Sequence, residues 1–365
     1  MARIVDLRND GDQQELISLL RKSTESSELN FLLGSGCSSP AIPVLGNIEK
    51  KVQELRAKQQ ELEVGRALAE YLKEFAISTQ SLLGTPDQVQ REALEVYSSF
   101  LVVVSRILIA RRSNIAPKHA SIFTTNYDMF VERAFQEHRG PLVLSDGFDR
   151  RPCLDGTAEF STAEFFKSVR KRGALYSYEV HVPSASLVKL HGSLGWRSDG
   201  DRILLSLEKL QGLAKEIEKL EESTKPDEYF DFVDQLPLIM PVVEKHRDTL
   251  LIQVYYDLLR IYSNELDKEN VLLLSCGFSF EDEHILRVTQ RSLRNPTLRL
   301  VIFSHTEGDV DGYRNKFANR ENVNIVFSKD GAIDFRQFVT ILENLPPQTS
   351  SPDEEASLSG AGHDE

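Results

Sequence analysis

Six runs of five to seven mostly apolar residues constrain this 365-residue chain more than any other feature: LNFLL at 29–33, SIFTT at 121–125, SLVKL at 186–190, VLLLS at 271–275, LRLVIFS at 298–304 and VNIVFS at 323–328. Runs this short, continuous rather than alternating with polar residues, are strands buried on both faces. That condition is met when helices cover both sides of a parallel sheet. The fold class expected is therefore α/β, a Rossmann-like parallel sheet flanked by helices.

Two helix-patterned stretches exceed what a crossover between parallel strands needs. The first, EKKVQELRAKQQELEVGRALAEYLKEFA and REALEVYSSFLVVVSRILIARR joined at the breaker GTPD, makes a helical insertion over about 47–118. The second, LEKLQGLAKEIEKLEE followed by RDTLLIQVYYDLLRIYSNEL, makes another over about 205–266. One domain is expected over 1–345. The last twenty residues, PPQTSSPDEEASLSGAGHDE at 346–365, are polar and acidic and are expected to form a disordered tail.

A formal net charge of -13 argues against nucleic acid as the main direct partner, because phosphate binding draws on clustered Lys and Arg. It leaves room for a local anion site built from backbone N–H groups. Cys37, Cys153 and Cys276 lie far apart with no CxxC pair, so neither a disulfide framework nor a zinc ribbon is expected, and a cytoplasmic location fits. MARIVDLRND lacks the apolar core of a secretory signal. FLVVVSRILIA at 100–110 is about half of the ~20 residues a membrane helix needs and is interrupted by Arg106, so it reads as a buried helix and no membrane partner is expected.

The residues directly after the strands point to a site. GSGCSS comes after the first run, NYD after the second, HGS after the third, CGFS after the fourth and His305 after the fifth. Ligands of open α/β sheets bind at the carboxyl ends of the strands, so these five loops are expected on one rim. Gly34-Ser35-Gly36 is either a tight turn or a cradle whose backbone N–H groups, from Gly34 through Ser35, Gly36 and Cys37 to Ser38, hold a pyrophosphate. A third glycine of the dinucleotide fingerprint is missing where Ser39 stands, and Pro40 and Pro43 come next. Asp128 has the position of a helix cap, while Asn126 carries an amide able to orient a sugar hydroxyl or a water.

His191 lies at a strand end beside Gly192, where an imidazole is placed to accept a proton near neutral pH. The remaining histidines at 119, 138, 181, 246 and 363 show no such placement. EDEH at 281–284 packs three acids with a histidine, but Ser279 and Asp282 at capping-box spacing explain it better than a metal. RKR at 170–172 reads as a solvated charge cluster.

GSGCS, TTNYD, KLHGS and CGFSF, in this order at strand ends, resemble a sirtuin-type NAD-binding domain over roughly residues 25–330. The stretch LPLIMPVVEKHRDTLLIQVYYDLLRIYSNELDKENVLLLSCGFSFEDEHI is similar to sirtuin-like proteins of bacterial antiphage defence, especially those that accompany a HerA-type ATPase. Two departures from the deacylases accompany this: the zinc ribbon is missing, and Val-Leu-Gly follows Pro43 where the family carries Asp-Phe-Arg.

The resemblance implies an NAD glycohydrolase (NADase) that releases nicotinamide and ADP-ribose, with NAD as substrate and no metal required. Asn126 and His191 would be catalytic. Gly34, Ser35, Gly36, Cys37, Ser38, Thr125, Asp128, Gly277, Phe278 and Ser279 would bind the dinucleotide, with Phe278 and Ser279 near the adenosine. Nicotinamide leaves as a neutral pyridine, so the usual acid of a glycosidase pair is unnecessary. A homo-oligomer and a HerA-type ATPase partner are implied, with nucleic acid reached at most through that partner. The alternatives are a non-catalytic sensor of NAD or ADP-ribose, or a nuclease component of the same complex.

Overall fold

The structure, a computed structural model, describes residues 2–42, 45–111, 116–138, 140–150, 157–172, 179–220, 223–239 and 249–346. The Pro43-Val44 turn, Cys153, His246 and tail residues 347–365 lie outside the described residues.

Eight strands form one parallel sheet: β1 Arg3–Asp6, β2 Glu28–Leu33, β3 His119–Thr124, β4 Val143–Ser145, β5 Ser184–Lys189, β6 Val271–Cys276, β7 Arg299–Phe303 and β8 Val323–Phe327, in the spatial order β1-β8-β7-β6-β2-β3-β5-β4. Every neighbouring pair runs parallel. Successive side chains on a strand face opposite ways, so a continuous apolar run feeds two cores at once. Leu29, Phe31 and Leu33 enter one core and Leu32 the other; on β6, Leu272 and Leu274 alternate in the same way with Val271 and Leu273.

One face is covered by α1 Asp10–Ser26, α2 Leu45–Ala57, α3 Glu61–Leu83, α4 Gln88–Ala110 and α5 Phe130–Glu137, with α6 Leu207–Leu220, α7 Pro226–Asp234 and α11 Phe335–Glu343 contributing to the same core. The opposite core takes α8 Thr249–Leu266, α9 Glu283–Ser292 and α10 Val310–Lys316. The expected Rossmann-like layering is thus observed. GTPD ends α3 at Gly84 and starts α4 at Asp87, whose carboxylate accepts from the Gln90 N–H while the Gln90 side chain returns the bond, a capping box.

The apolar run 100–110 is the second half of α4. That helix is long and apolar enough to cross a membrane, but 56% of its apolar window is buried within the fold, so it is a core helix. The two inserted stretches meet each other: α3 packs on α6 and α7, and a Cβ on Gly65 would stand 2.8 Å from the Tyr229 Cβ, so a glycine lets α7 approach.

Two strands of the main sheet escape the sequence reading. β1 and β4 are four and three residues long and sit at the two edges. A second, antiparallel sheet of Phe148–Asp149, Glu159–Phe160, Trp196–Asp199 and Arg202–Leu205 also lies outside it. Its strands are short and held by an aromatic cluster, with Phe160 5.0 Å from Trp196 and Phe148 5.8 Å from the same ring. Arg170–Arg172 is a strand too, paired with Glu179–His181.

His119, at the start of β3, lies between the Ser184 and Ser186 hydroxyls, and burial pushes its pKa down to about 4. The unfolded chain protonates this ring at an ordinary pKa near ~6.5 and the folded chain does not until about 4, so the unfolded state binds more protons in between. Stability is expected to fall as pH drops through that window, and His119→Gln, followed by urea unfolding at pH 7 and pH 4.5, should show a smaller pH-dependent loss than the native chain.

Candidate active site

Four of the five rim loops stand on adjacent strands, β6, β2, β3 and β5, around the point where the chain reverses direction across the sheet. There the loop after β2 and the loop after β6 are in backbone contact. Gly34 N–H donates to the Cys276 carbonyl and Gly36 N–H to the Gly277 carbonyl, each at 3.0 Å. A Cβ on Gly34 would stand 2.2 Å from the Gly277 oxygen, and one on Gly36 2.8 Å from the Gly277 Cα. Gly277 itself holds φ at +64°. Loop-to-loop approach therefore requires these glycines.

The N–H groups expected to form a cradle are largely engaged within the protein. The N–H groups of Gly34 and Gly36 are engaged across the loops, and those of Cys37 and Ser38 close the short 3-10 turn Ser35–Cys37 onto the Gly34 and Ser35 carbonyls. Four of the five N–H groups assigned to a pyrophosphate thus already have protein partners. Cys37 is buried, donates its thiol to the Cys276 carbonyl at 3.2 Å, and is pushed well up in pKa by burial, so it packs the loops together.

Ser38 is the hub of the site. Its hydroxyl gives its proton to Asp128 Oδ2 at 2.7 Å, so Tyr97, 2.8 Å away, must donate to it; burial and then the Asp128 charge push the Tyr97 phenol well up, which keeps that proton in place. Asn126 Nδ2 donates to the Gly34 carbonyl at 3.0 Å and to Ser38 Oγ at 3.2 Å. A carbonyl partner accepts only, which fixes the amide orientation. The other end, Asn126 Oδ1, is buried with no hydrogen-bond partner among the described residues. Asp128 Oδ1 accepts from the Phe130 N–H at 3.2 Å, a turn bond two residues on, alongside its bond to Ser38; the N-cap of α5 is Met129 rather than the expected Asp128.

A cavity of about 30 Å³ lies against these groups, lined by Ser35, Ser38, Thr125, Asn126, Tyr127 and Asp128 together with Ile42 and, from α3, Tyr71 and Phe75. By this measure it holds a water or two. The HGS turn is tied to the Asn126 loop from below: Lys189, 4% exposed, donates its Nζ to the Asp128 carbonyl and to Ser193 Oγ (2.9 Å) and pairs with Glu132 at 2.8 Å. Burial raises the Glu132 pKa, partly offset by Lys189. Gly192, at φ +81°, is a glycine because a Cβ would meet the Pro237 oxygen at 2.1 Å.

His191 is 2% exposed and is not among the residues lining that cavity. Tyr127 belongs to both neighbourhoods: it lines the cavity, and its ring centroid is 6.4 Å from the imidazole. His191 Nε2 stands 3.0 Å from Asp282 Oδ2, at a slant rather than as an aligned hydrogen bond. Burial would raise the Asp282 pKa, but His191, the Ile285 N–H and His284 outweigh it and hold the carboxyl below its usual range.

Asp282, not Ser279, caps α9, accepting from the Ile285 N–H at 2.9 Å. Its neighbours are engaged elsewhere, Glu281 with Lys316 and Glu283 with Arg287. Phe278 is buried against Phe280, whereas Ser279 is exposed and accepts from Lys316 through its carbonyl. Both stand outside the cavity wall. His305 turns toward the Ile333 carbonyl, 3.4 Å away, and is not among the residues lining the cavity.

The profile of the SIR2-like domain matches residues 120–326, more than half of the chain. The chain belongs to the SIR2-like family. No curated protein matches it. Family membership implies NAD binding or use, and the matched span contains the NYD, HGS and CGFS loops while β2 and its glycine loop precede it.

Asp282, Tyr97, Tyr71 and Phe75 are the residues of this SIR2-like site that the sequence reading passed over. The last three sit on helices whose apolar periodicity reads as core. Only Asp282 left a signal, an acid at a helix start directly after a strand-end glycine loop.

Proposed function

We propose that this SIR2-like protein hydrolyses NAD at the nicotinamide–ribose bond, giving nicotinamide and ADP-ribose, and that it acts in antiphage defence by depleting NAD within a complex with a HerA-type ATPase. The observation that carries the reading is the Asn126 amide: its nitrogen is fixed by Gly34 and Ser38, and its buried oxygen is left without a partner on a cavity at the switch point of the sheet. A buried unpartnered acceptor costs about 1–3 kcal/mol, a cost that a ligand hydroxyl or a bound water removes.

NAD, when bound, supplies a leaving group that departs neutral without a proton. The chain's part is to orient and to accept a proton. Asn126 Oδ1 accepts from a ribose hydroxyl or water, and Ser38 and Asp128 hold the loop that carries it. His191 is the proton acceptor. The cavity is far smaller than a dinucleotide, so NAD entry displaces Tyr71 and Phe75 of α3 and brings Asn126 and His191 to one ligand past Tyr127. Gly277, Phe278 and Ser279 border the adenosine side through the β6 loop, and Thr125 adds to the wall.

Unrestrained NAD loss would kill the host, so a regulator is expected, and the chain carries no GxxxxGK ATPase motif of its own. Association with a HerA-type ATPase and with further copies of this chain, in the cytoplasm, supplies that restraint. The test is to incubate the full-length protein with NAD, alone and with the partner ATPase, and to follow free nicotinamide. Release of nicotinamide supports the hydrolase; NAD binding with no release under either condition overturns it in favour of the sensor.

A further inference from the structure

Resting on the proton-acceptor reading of His191, we infer that Asp282 is a positioning residue that fixes the tautomer of that imidazole. Asp282 reaches His191 from a different part of the chain: it caps α9 after β6, whereas His191 follows β5, three strands away in the sheet order. Its two oxygens divide the work, Oδ1 on the Ile285 N–H at 2.9 Å and Oδ2 at 3.0 Å from His191 Nε2. The cap holds the carboxylate, and the carboxylate stands beside Nε2 as a charge partner, close but not aligned as a hydrogen bond.

A carboxylate is acceptor only, so Nε2 beside it carries the proton. In a neutral imidazole that leaves Nδ1 as the basic nitrogen; both ring nitrogens are buried and neither makes an aligned hydrogen bond among the described residues, so it is the carboxylate 3.0 Å from Nε2 that distinguishes them. Nδ1 is therefore the atom that takes a proton from water or a ribose hydroxyl, and the imidazolium formed keeps its Nε2–H toward Asp282, which offsets the new charge. Tyr255, whose ring centroid is 6.3 Å from that of His191 and equally far from that of His284, packs beside the pair; His284 is the other titratable group that acts on Asp282.

Asp282→Asn separates this role from capping, because asparagine caps a helix about as well as aspartate. Asn Oδ1 can keep the Ile285 N–H and turn its NH₂ toward Nε2, which favours the opposite tautomer; the same exchange in a serine-protease triad is the known precedent for such a loss.

The experiment is ¹⁵N NMR of the histidine ring nitrogens in full-length wild type and Asp282→Asn, with Asp282→Ser as a second cap-forming variant, alongside thermal unfolding and NAD turnover. The wild type should show His191 protonated at Nε2 and free at Nδ1, and Asp282→Asn should move the proton to Nδ1. Melting should be little changed, and kcat should fall by about 10²-fold or more with KM within about threefold.

An unchanged tautomer in both variants, or a wild type protonated at Nδ1, would reduce Asp282 to a helix cap and overturn the inference. A tautomer that moves while kcat does not would overturn its part in turnover. A wild type with the Nε2–H tautomer that never releases nicotinamide would sink the hydrolase instead, leaving the Asp282–His191 pairing standing.

Discussion

Asn126→Ala is expected to lower NAD turnover by about 10²- to 10³-fold, the range seen when one preorganised polar group is removed from a reacting centre, while hardly changing the stability of the fold. The second half of that expectation is the unusual one. Truncation removes two hydrogen bonds, to Gly34 and Ser38, each worth about 0.5–1.5 kcal/mol net. It also removes a buried oxygen with no partner, a liability of about 1–3 kcal/mol. The two nearly cancel. Urea unfolding of the variant should fall within about 1 kcal/mol of wild type, whereas a residue kept for packing alone would show a clear loss of stability and no particular loss of turnover.

Lys189→Met should act the other way, on stability first. Its ammonium is 4% exposed and serves the Asp128 carbonyl, Ser193 Oγ and Glu132 together, so deletion leaves the Glu132 carboxylate buried and unpaired. Breaking one partner of such a pair costs about 3–5 kcal/mol, and here it also unties the loop of Asn126 from that of His191. Adding Glu132→Leu to the same chain should recover most of the stability, because an apolar pair of similar size is often no worse than a buried ion pair. Turnover should not return with it, since Asp128 and Ser193 still lack their donor. Denaturant unfolding of the single and double variants checks this; a loss below about 1 kcal/mol in Lys189→Met would contradict it.

The parallel sheet was legible because burial on both faces leaves a mark, a run with no polar alternation. LNFLL and VLLLS became β2 and β6 within a residue or two of their expected bounds. The edge strands were not legible because Arg3–Asp6 and Val143–Ser145 are too short to show any period, and their pairing is fixed by neighbours distant in sequence. The positions of the loops on the rim were legible, whereas their contacts with one another were not. Glycines 34, 36 and 277 look alike in a sequence whether they approach a phosphate or one another, and here the contacts are with one another. The EDEH acids were read within their own helix turn, where capping accounts for them. The partner of Asp282 lies 91 residues earlier (282 minus 191), a pairing that only the assembled rim provides.

The central claim is that Asn126 and His191, now on either side of Tyr127, act on one ribose. A crystal structure of the full-length protein with ADP-ribose tests it most directly. The account predicts the α3 side chains Tyr71 and Phe75 displaced, with Asn126 Oδ1 and His191 Nδ1 both within hydrogen-bond reach of the ribose or of a single water beside it. ADP-ribose bound at Asn126 with His191 still closed off behind Tyr127, or bound elsewhere on the chain, would contradict it.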